Sequence, residues 1–259
     1  MPFQSTKKDK GFSFYKEEGA LLSVVVLAYN EAANLPIQVD DCLGWFDSLK
    51  GRVSELFPDD VGGLPFGEIV IVDDGSTDGT GGIARDLAEG HSGLRVVRHR
   101  VNLGMGAAVR SGYAAASGRY VTQLPADCQI HPSTLERFLP AMRRVDLVLS
   151  TYRRRGDGLK RGLMSRGFQS LVRSLYGVDP RYTGTMVLKR SLLSRFPIRS
   201  NTFFANLELP FRLIEAGVDY EVVEIEPVPR RSGASKVANP KRIAHVVGEL
   251  LDIRFRHWS

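Results

Sequence analysis

Two cysteines, Cys42 and Cys128, are all that this 259-residue chain contains. That is too few for a disulfide framework, and their separation matches no zinc-ligand spacing. A reduced, cytosolic setting is the simplest reading. Long apolar runs are also missing: no stretch reaches the roughly 18 residues that a bilayer-spanning helix needs. The leading MPFQSTKKDKGFSFYKEEG has no apolar signal-peptide core. Internal repeats and low-complexity tracts are absent. The five histidines, His91, His99, His131, His245 and His257, are scattered without catalytic pairing. Each is expected to be structural or exposed. Basic residues are not interleaved with stacking aromatics, so no nucleic acid is expected as a partner.

What is present suits a soluble globular protein. Apolar residues make up 43% and charged residues 25% of the chain. The formal net charge of +6 favours anionic partners such as nucleotides or phosphorylated lipids. Residues 1–20 read as a flexible amino-terminal arm. LLSVVVLAYN (21–30), EIVIVDDGSTDGT (68–80), LRVVRHRV (94–101), RYVTQLPAD (119–127) and VDLVLSTY (145–152) read as strands. Apolar spacing predicts helices over 31–50, 80–90 (capped by Thr77 or Asp78), the alanine-rich segment after Asn102, and 133–144. Alternation of strand and helix predicts an α/β fold with a mostly parallel sheet covered on both faces. Ligands of such sheets lie beyond the carboxyl ends of the strands. Further on, 185–196 reads as a strand into a helix, and 206–218 as a helix with Pro210 in its first turn. Residues 220–231 read as a strand stopped by Pro227 and Pro229, and the segment closing the chain as an amphipathic helix.

The strand-end turns carry the chemistry. In VDDGSTD, Asp73 and Asp74 precede Gly75 and Ser76. Adjacent carboxylates at a strand end can accept from a base N–H and ribose hydroxyls, while small residues beside them leave room for a ligand. The same letters also make an Asx-turn and a helix cap. Together with LAYNEAANLP, this order and spacing resemble the nucleotide-binding half of glycosyltransferase family 2, a GT-A (Rossmann-like) fold. NLGMGAAVRSGYAAASGRY is similar to the family's Asn-x-Gly-x-x-x-Ala segment, and DPRYTGTMVLKRSLL to its later Asp…Ser/Thr-Gly segment. PRRSGASK resembles the Arg-x-x-Gly-x-Ser-Lys signature of the polyprenyl-phosphate branch, the dolichol-phosphate mannose synthases and their bacterial relatives. The likeness runs from about residue 21 to 240. GMGAAV also opens like a dinucleotide fingerprint, but its third glycine and the acidic partner are missing. It reads better as a turn that lets a helix approach the nucleotide.

The resemblance implies one GT-A domain over 21–259, with a nucleotide-sugar-binding half (21–150) and an acceptor-binding half (151–259). It implies nucleotide-sugar contacts at Ala28, Tyr29, Asn30, Glu31, Asp73, Asp74, Gly75, Ser76, Gly104, Ala107 and Ala126. In the family the next turn is Asp-x-Asp, and it holds a divalent cation. Here it reads Pro125-Ala126-Asp127-Cys128-Gln129, with proline in place of the first carboxylate. Asp127 and Gln129, with the donor diphosphate, remain as candidate ligands for Mg²⁺ or Mn²⁺; the alternative is a solvated turn without metal.

Arg231 and Lys236 are expected to add charge at the diphosphate, with Ser235 beside them on the acceptor side. Arg153, Arg154, Arg166 and Ser170 are candidate contacts to an acceptor phosphate; Arg166 and Ser170 share a helix face. The apolar side of 163–177 suits either an interfacial membrane helix or core packing, with interface slightly favoured. Glu208 matches the family's general-base position. An ionised phosphate acceptor needs no base, whereas a hydroxyl acceptor does.

The expected activity is inverting transfer of a sugar from a GDP- or UDP-sugar to a polyprenyl phosphate at the cytosolic membrane face. The alternatives are transfer to a hydroxyl acceptor with Glu208 as base, and a non-catalytic nucleotide-binding or scaffold protein. With the chain closing at Ser259, membrane contact is expected to be peripheral or mediated by a separate membrane subunit.

Overall fold

The computed structural model describes residues 19–57, 65–152, 170–177, 185–226 and 247–257. β1 (Ala20–Ala28), β2 (Gly67–Asp73) and β4 (Gly118–Pro125) form the centre of a seven-stranded sheet. β3 (Leu94–Arg98), β5 (Leu147–Tyr152), β6 (Met186–Lys189) and β7 (Tyr220–Ile225) complete the order β3-β2-β1-β4-β6-β5-β7. All seven strands arise from the apolar, β-branched runs expected of them. β3, β2, β1 and β4 run parallel to one another. β6 runs antiparallel to both β4 and β5, the one reversal in an otherwise parallel sheet.

Side-chain alternation along β1 divides the core. Val24 and Val26 face a cluster containing Leu35, Val39, Cys42, Trp45 and Leu49 of α1 (Leu35–Leu49). Val25 faces the other side, with Ala108, Val109 and Tyr113 of α4 (Met105–Ala115) and Leu209 and Leu213 of α7 (Ala205–Glu215). A short α2 (Val53–Leu56) follows α1, and α3 (Thr80–Gly90) packs beside β3.

Four local expectations are corrected. The helix expected over 133–144 is split into a 3₁₀ turn, Pro132–Arg137, and α5 (Leu139–Met142). Pro140 lacks the N–H that a continuous helix would use, and it is tolerated because a new helix starts beside it. Thr77 does not cap α3; Gly79 occupies the cap position with φ of 93°, while Asp78 Oδ1 accepts from the first helical N–H, that of Thr80, at 3.1 Å. Pro210 lies inside α7 rather than in its first turn, because the helix begins at Ala205. Finally, the described part of the 163–177 segment, helix α6 at 170–176, packs into the protein rather than facing a membrane. Val172 and Tyr176 are buried with Phe204, Leu207, Phe211, Leu250 and Ile253.

The amino ends of the central strands meet at one buried carboxylate. Glu68 accepts from Ser23 Oγ at 2.6 Å, Ser117 N–H at 2.6 Å and Ser117 Oγ at 2.9 Å, and pairs with Arg95. Burial opposes its ionisation, but these donors outweigh it and hold its pKa below the ordinary 4.5. Its contribution to stability is therefore complete above that value and is lost as pH falls through the lower folded value. Glu68→Gln is expected to cost about 1–3 kcal/mol at neutral pH. In urea titrations from pH 7 downward, the gap between variant and wild type should close below pH 4.5; a gap constant with pH would refute this role.

Candidate active site

Register sets the site. Ala28 of β1 pairs with Asp73 of β2, and Leu27 with Pro125 of β4, so three strands end level. The turns leaving β1 and β2 are then laced together. Asn30, with φ of 54°, donates its N–H to Ser76 Oγ at 2.9 Å and accepts from Thr77 N–H at 2.9 Å. Glu31 N–H donates to Thr80 Oγ1 at 2.9 Å, and Ala32 N–H to Asp78 Oδ2 at 3.2 Å. Asp78 loses some hydration in this setting. The Thr80 hydroxyl and the N–H groups of Ala32 and Thr80 more than offset that and lower its pKa.

Asp73 and Asp74 are adjacent in sequence but have different duties. Asp74 is consumed by the chain itself. It accepts from Leu103 N–H at 2.9 Å, Gly104 N–H at 3.0 Å and Asn102 Nδ2 at 2.9 Å, and lies 2.7 Å from His99 Nδ1. His99 Nε2 is in turn 2.9 Å from Ser111 Oγ. Gly75 closes this knot: at φ of 71°, a Cβ there would lie 2.2 Å from the Val101 carbonyl carbon. Asp73 is completely buried and accepts from Ser76 N–H at 2.9 Å through Oδ1. Its Oδ2 has no hydrogen-bond donor; Arg98 Nε is 3.1 Å away but out of line for one. Arg98 is 53% exposed, so it can be displaced. Asp73 thus keeps an acceptor in reserve, and Asp74 does not.

Gly104 and Gly106 were expected to admit a nucleotide. The structure fills the space beside them with the chain's own backbone. A Cβ on Gly106 would lie 2.0 Å from the Ser200 carbonyl oxygen, and one on Gly104 would lie 2.5 Å from that of Asn201. Gly106 N–H donates to Asn201 O at 3.1 Å, and Arg110 Nη1 donates to Ser200 O at 2.5 Å. Ala107 and Ala126 are buried, while Tyr29 is partly exposed at the end of β1.

Two carboxylates hold the 199–202 segment in that position. Glu208 of α7 accepts from Arg199 N–H at 2.9 and 3.0 Å and from Ser200 N–H at 2.7 Å, with Arg212 Nη1 at 3.5 Å. Its exposure is zero, and burial raises its pKa against the pull of those donors. A general base must reach the proton it removes. In this arrangement Glu208 is turned to the backbone of its neighbouring loop and to Arg212. Glu249, from the described carboxyl-terminal helix, was missed in the sequence. It accepts from Ser200 Oγ at 2.6 Å and Asn201 N–H at 2.8 Å, and also from the Thr202 hydroxyl. Burial opposes its ionisation, yet these donors lower its pKa. No sequence motif marks Glu249; it lies 47 residues from Thr202 and meets it only in the fold.

After β4 the turn bends sharply at Cys128, φ 57°. Asp127 is largely buried, and its Oδ1 accepts from Gln129 N–H at 3.1 Å. Among the described residues no group of three or more His, Cys, Asp or Glu is placed to cage a metal. One carboxylate beside an amide side chain fits a hard cation that keeps waters and takes its other oxygens from a diphosphate. Ser170 is exposed at the start of α6. Arg153, Arg154, Arg166, Arg231, Ser235 and Lys236 lie outside the described residues.

The Glycosyl transferase family 2 model matches residues 23–203. The chain belongs to glycosyltransferase family 2. It is 32% identical over 170 residues to an undecaprenyl-phosphate 4-deoxy-4-formamido-L-arabinose transferase of Aeromonas hydrophila, covering 64% of this chain and 48% of that one. It is 33% identical over 109 residues to a dolichyl-phosphate beta-glucosyltransferase of Dictyostelium discoideum, covering 41% and 30%. The chain therefore spans about half or less of the length of these curated relatives. Glucosyl-3-phosphoglycerate synthase from Mycobacterium tuberculosis, solved with Mn²⁺, UDP and phosphoglyceric acid, shares the GT-A fold with a TM-score of 0.66 at 22% identity, over 98% of this chain and 87% of that one.

Removal of the Asp74 carboxylate strands two backbone N–H groups. Asp74→Ala is expected to cost about 3 kcal/mol and to speed hydrogen exchange at 99–104. Unchanged exchange in that stretch would show that Asp74 does not hold the loop.

Proposed function

We propose that the chain transfers a sugar, with inversion, from a nucleotide-sugar donor to a polyprenyl phosphate. The observation that carries the acceptor class is the burial of Glu208. A hydroxyl acceptor needs a base in contact with it, and Glu208 has no exposed surface. A phosphate monoester is already ionised near neutral pH and attacks without one. The names of the undecaprenyl- and dolichyl-phosphate relatives support the same acceptor.

In this reading Asp73 Oδ2 accepts the ring N–H of the nucleobase. Uracil and guanine both present such a donor, and the UDP in the solved neighbour favours uracil. The turn Ala28–Glu31 with Gly75 and Ser76 lines the nucleoside. Asp127 and Gln129 hold Mg²⁺ or Mn²⁺, which when bound offsets charge on the departing diphosphate. Arg231 and Lys236 add positive charge there. Arg153, Arg154, Arg166, Ser170 and Ser235 hold the acceptor phosphate. Its oxygen forms the new bond to the anomeric carbon as the bond to the diphosphate breaks on the opposite side, which inverts the centre. Asp74, Gly104 and Ala107 act through the scaffold.

No described helix is long and apolar enough to cross a membrane. With a lipid-linked acceptor, the protein works at a membrane surface, on the cytosolic face, alone or beside a membrane subunit.

The test is nucleoside-diphosphate release across a panel of donor sugars, with Mg²⁺ or Mn²⁺, with and without a short polyprenyl phosphate. Release is expected to depend on the lipid phosphate. Glu208→Gln is expected to retain lipid-dependent turnover within about tenfold of wild type, since loss of a true base costs about 10²–10⁴-fold. No lipid-dependent release with any donor would refute the acceptor assignment.

A further inference from the structure

Two of the three most exposed large apolar side chains among the described residues stand on one loop: Val101 at 62% and Leu103 at 51% exposure. The loop leaves β3, whose Arg98 pairs in register with Asp73 of β2, so it lies at the end of the sheet that carries the candidate site. It cannot fold the two side chains inward. Asn102, between them, turns its amide to Asp74, reaching the backbone carbonyl at 3.2 Å and Oδ2 at 2.9 Å. Leu103 and Gly104 give their N–H groups to the same carboxylate. The Val101 carbonyl lies so near that a Cβ on Gly75 would meet its oxygen at 2.6 Å. Backbone fixed in this way holds both side chains out in solvent, where their apolar surface is unfavourable.

An anionic bilayer fits this loop. Lipid penalises any polar backbone group that enters it without a partner, and the N–H groups of Leu103 and Gly104 are already spent on Asp74. Arg100, the residue before the pair, is exposed and has no carboxylate partner among the described residues. It places positive charge beside the apolar side chains, where the phosphates of an anionic leaflet would meet it. The helix expected to face a membrane is turned the other way: its described part buries Val172 and Tyr176 in the protein.

We propose that the 100–103 loop is a membrane contact, in which Val101 and Leu103 enter the boundary between headgroups and acyl chains and Arg100 pairs with lipid phosphates. The inference rests on the reading of the chain as a transferase to a lipid-linked phosphate, and it names the face that meets the bilayer. Docking there turns the level ends of β1, β2 and β4 toward the surface that holds the acceptor.

The probe is a vesicle of equal parts phosphatidylcholine and phosphatidylglycerol, free of polyprenyl phosphate and sugar donor, sedimented with the full chain. Val101→Ser and Leu103→Ser should each weaken binding about tenfold, the size of one partly exposed apolar side chain withdrawn from water. Arg100→Ala should weaken it about fivefold at low salt and less at high salt. Val222→Ser, which removes an exposed apolar side chain on the opposite edge strand β7, should bind as wild type does. Leu103→Trp gives a readout that does not depend on losing a contact: its added emission should shift to the blue on vesicles, as an indole does at the headgroup level. A wild type that does not sediment with vesicles, an equal loss from Val222→Ser, or unshifted emission from bound Leu103→Trp would overturn the proposal. So would serine variants that keep vesicle binding but bind UDP with Mn²⁺ more weakly, which would give the pair to the nucleotide, or that change only the oligomeric mass, which would give it to a second copy of the chain. Transfer to a water-soluble short-chain polyprenyl phosphate separates the two readings. Transfer without vesicle binding would remove the membrane loop alone, and loop-dependent vesicle binding without transfer to any acceptor would remove the reaction reading alone.

Discussion

One carboxylate, Asp74, holds the ligand end of this sheet together. It lies one residue beyond β2 and gathers donors from Asn102, Leu103 and Gly104, with His99 behind it. Those contacts fix the loop between β3 and α4, and so fix where α4 begins. Because α4 then presents Gly104 and Gly106 to the 199–202 segment, the position of a loop a hundred residues away follows from the same carboxylate. Burial makes the arrangement firm: the donors would be costly to leave unpaired, and Asp74 would be costly to leave unsolvated.

A second carboxylate pair repeats the principle on the other side of the glycines. Glu208 and Glu249 come from different helices and grip consecutive residues of one short segment. Their ionisation is pushed in opposite directions. Desolvation prevails for the fully buried Glu208, while the donors prevail for Glu249. The carboxyl-terminal helix, which also packs Leu250 and Ile253 against α7 and α6, is thereby tied to the backbone beside the candidate site. This assembly lies against Gly104 and Gly106 at the start of α4, and ligands of such sheets bind beyond the carboxyl ends of the strands.

Much of the fold was legible because a strand covered on both faces needs a continuous apolar run, and such runs are visible without tertiary information. The seven strands and the carboxylates at their ends were readable for this reason. What escaped were features set by distant partners. The reversal of β6 depends on which neighbours flank it, and MVLK carries no sign of direction. The break before α5 depended on Pro140 being used as a helix start. Six candidate residues in the two basic segments lie outside the described residues, and their roles rest on motif likeness and the reading built on it.

The sequence alone determined the α/β architecture, the family and the turns where chemistry would sit, because these depend on local periodicity and on short motifs. It could not separate Asp73 from Asp74, since two identical neighbouring letters differ only in what the folded chain brings to each. It could not show that Glu208 is buried against the backbone of 199–200, or that Gly104 and Gly106 make room for backbone. Those facts were decided by the tertiary structure, because burial and hydrogen-bond partners are properties of residues far apart in sequence that meet only when the chain closes on itself.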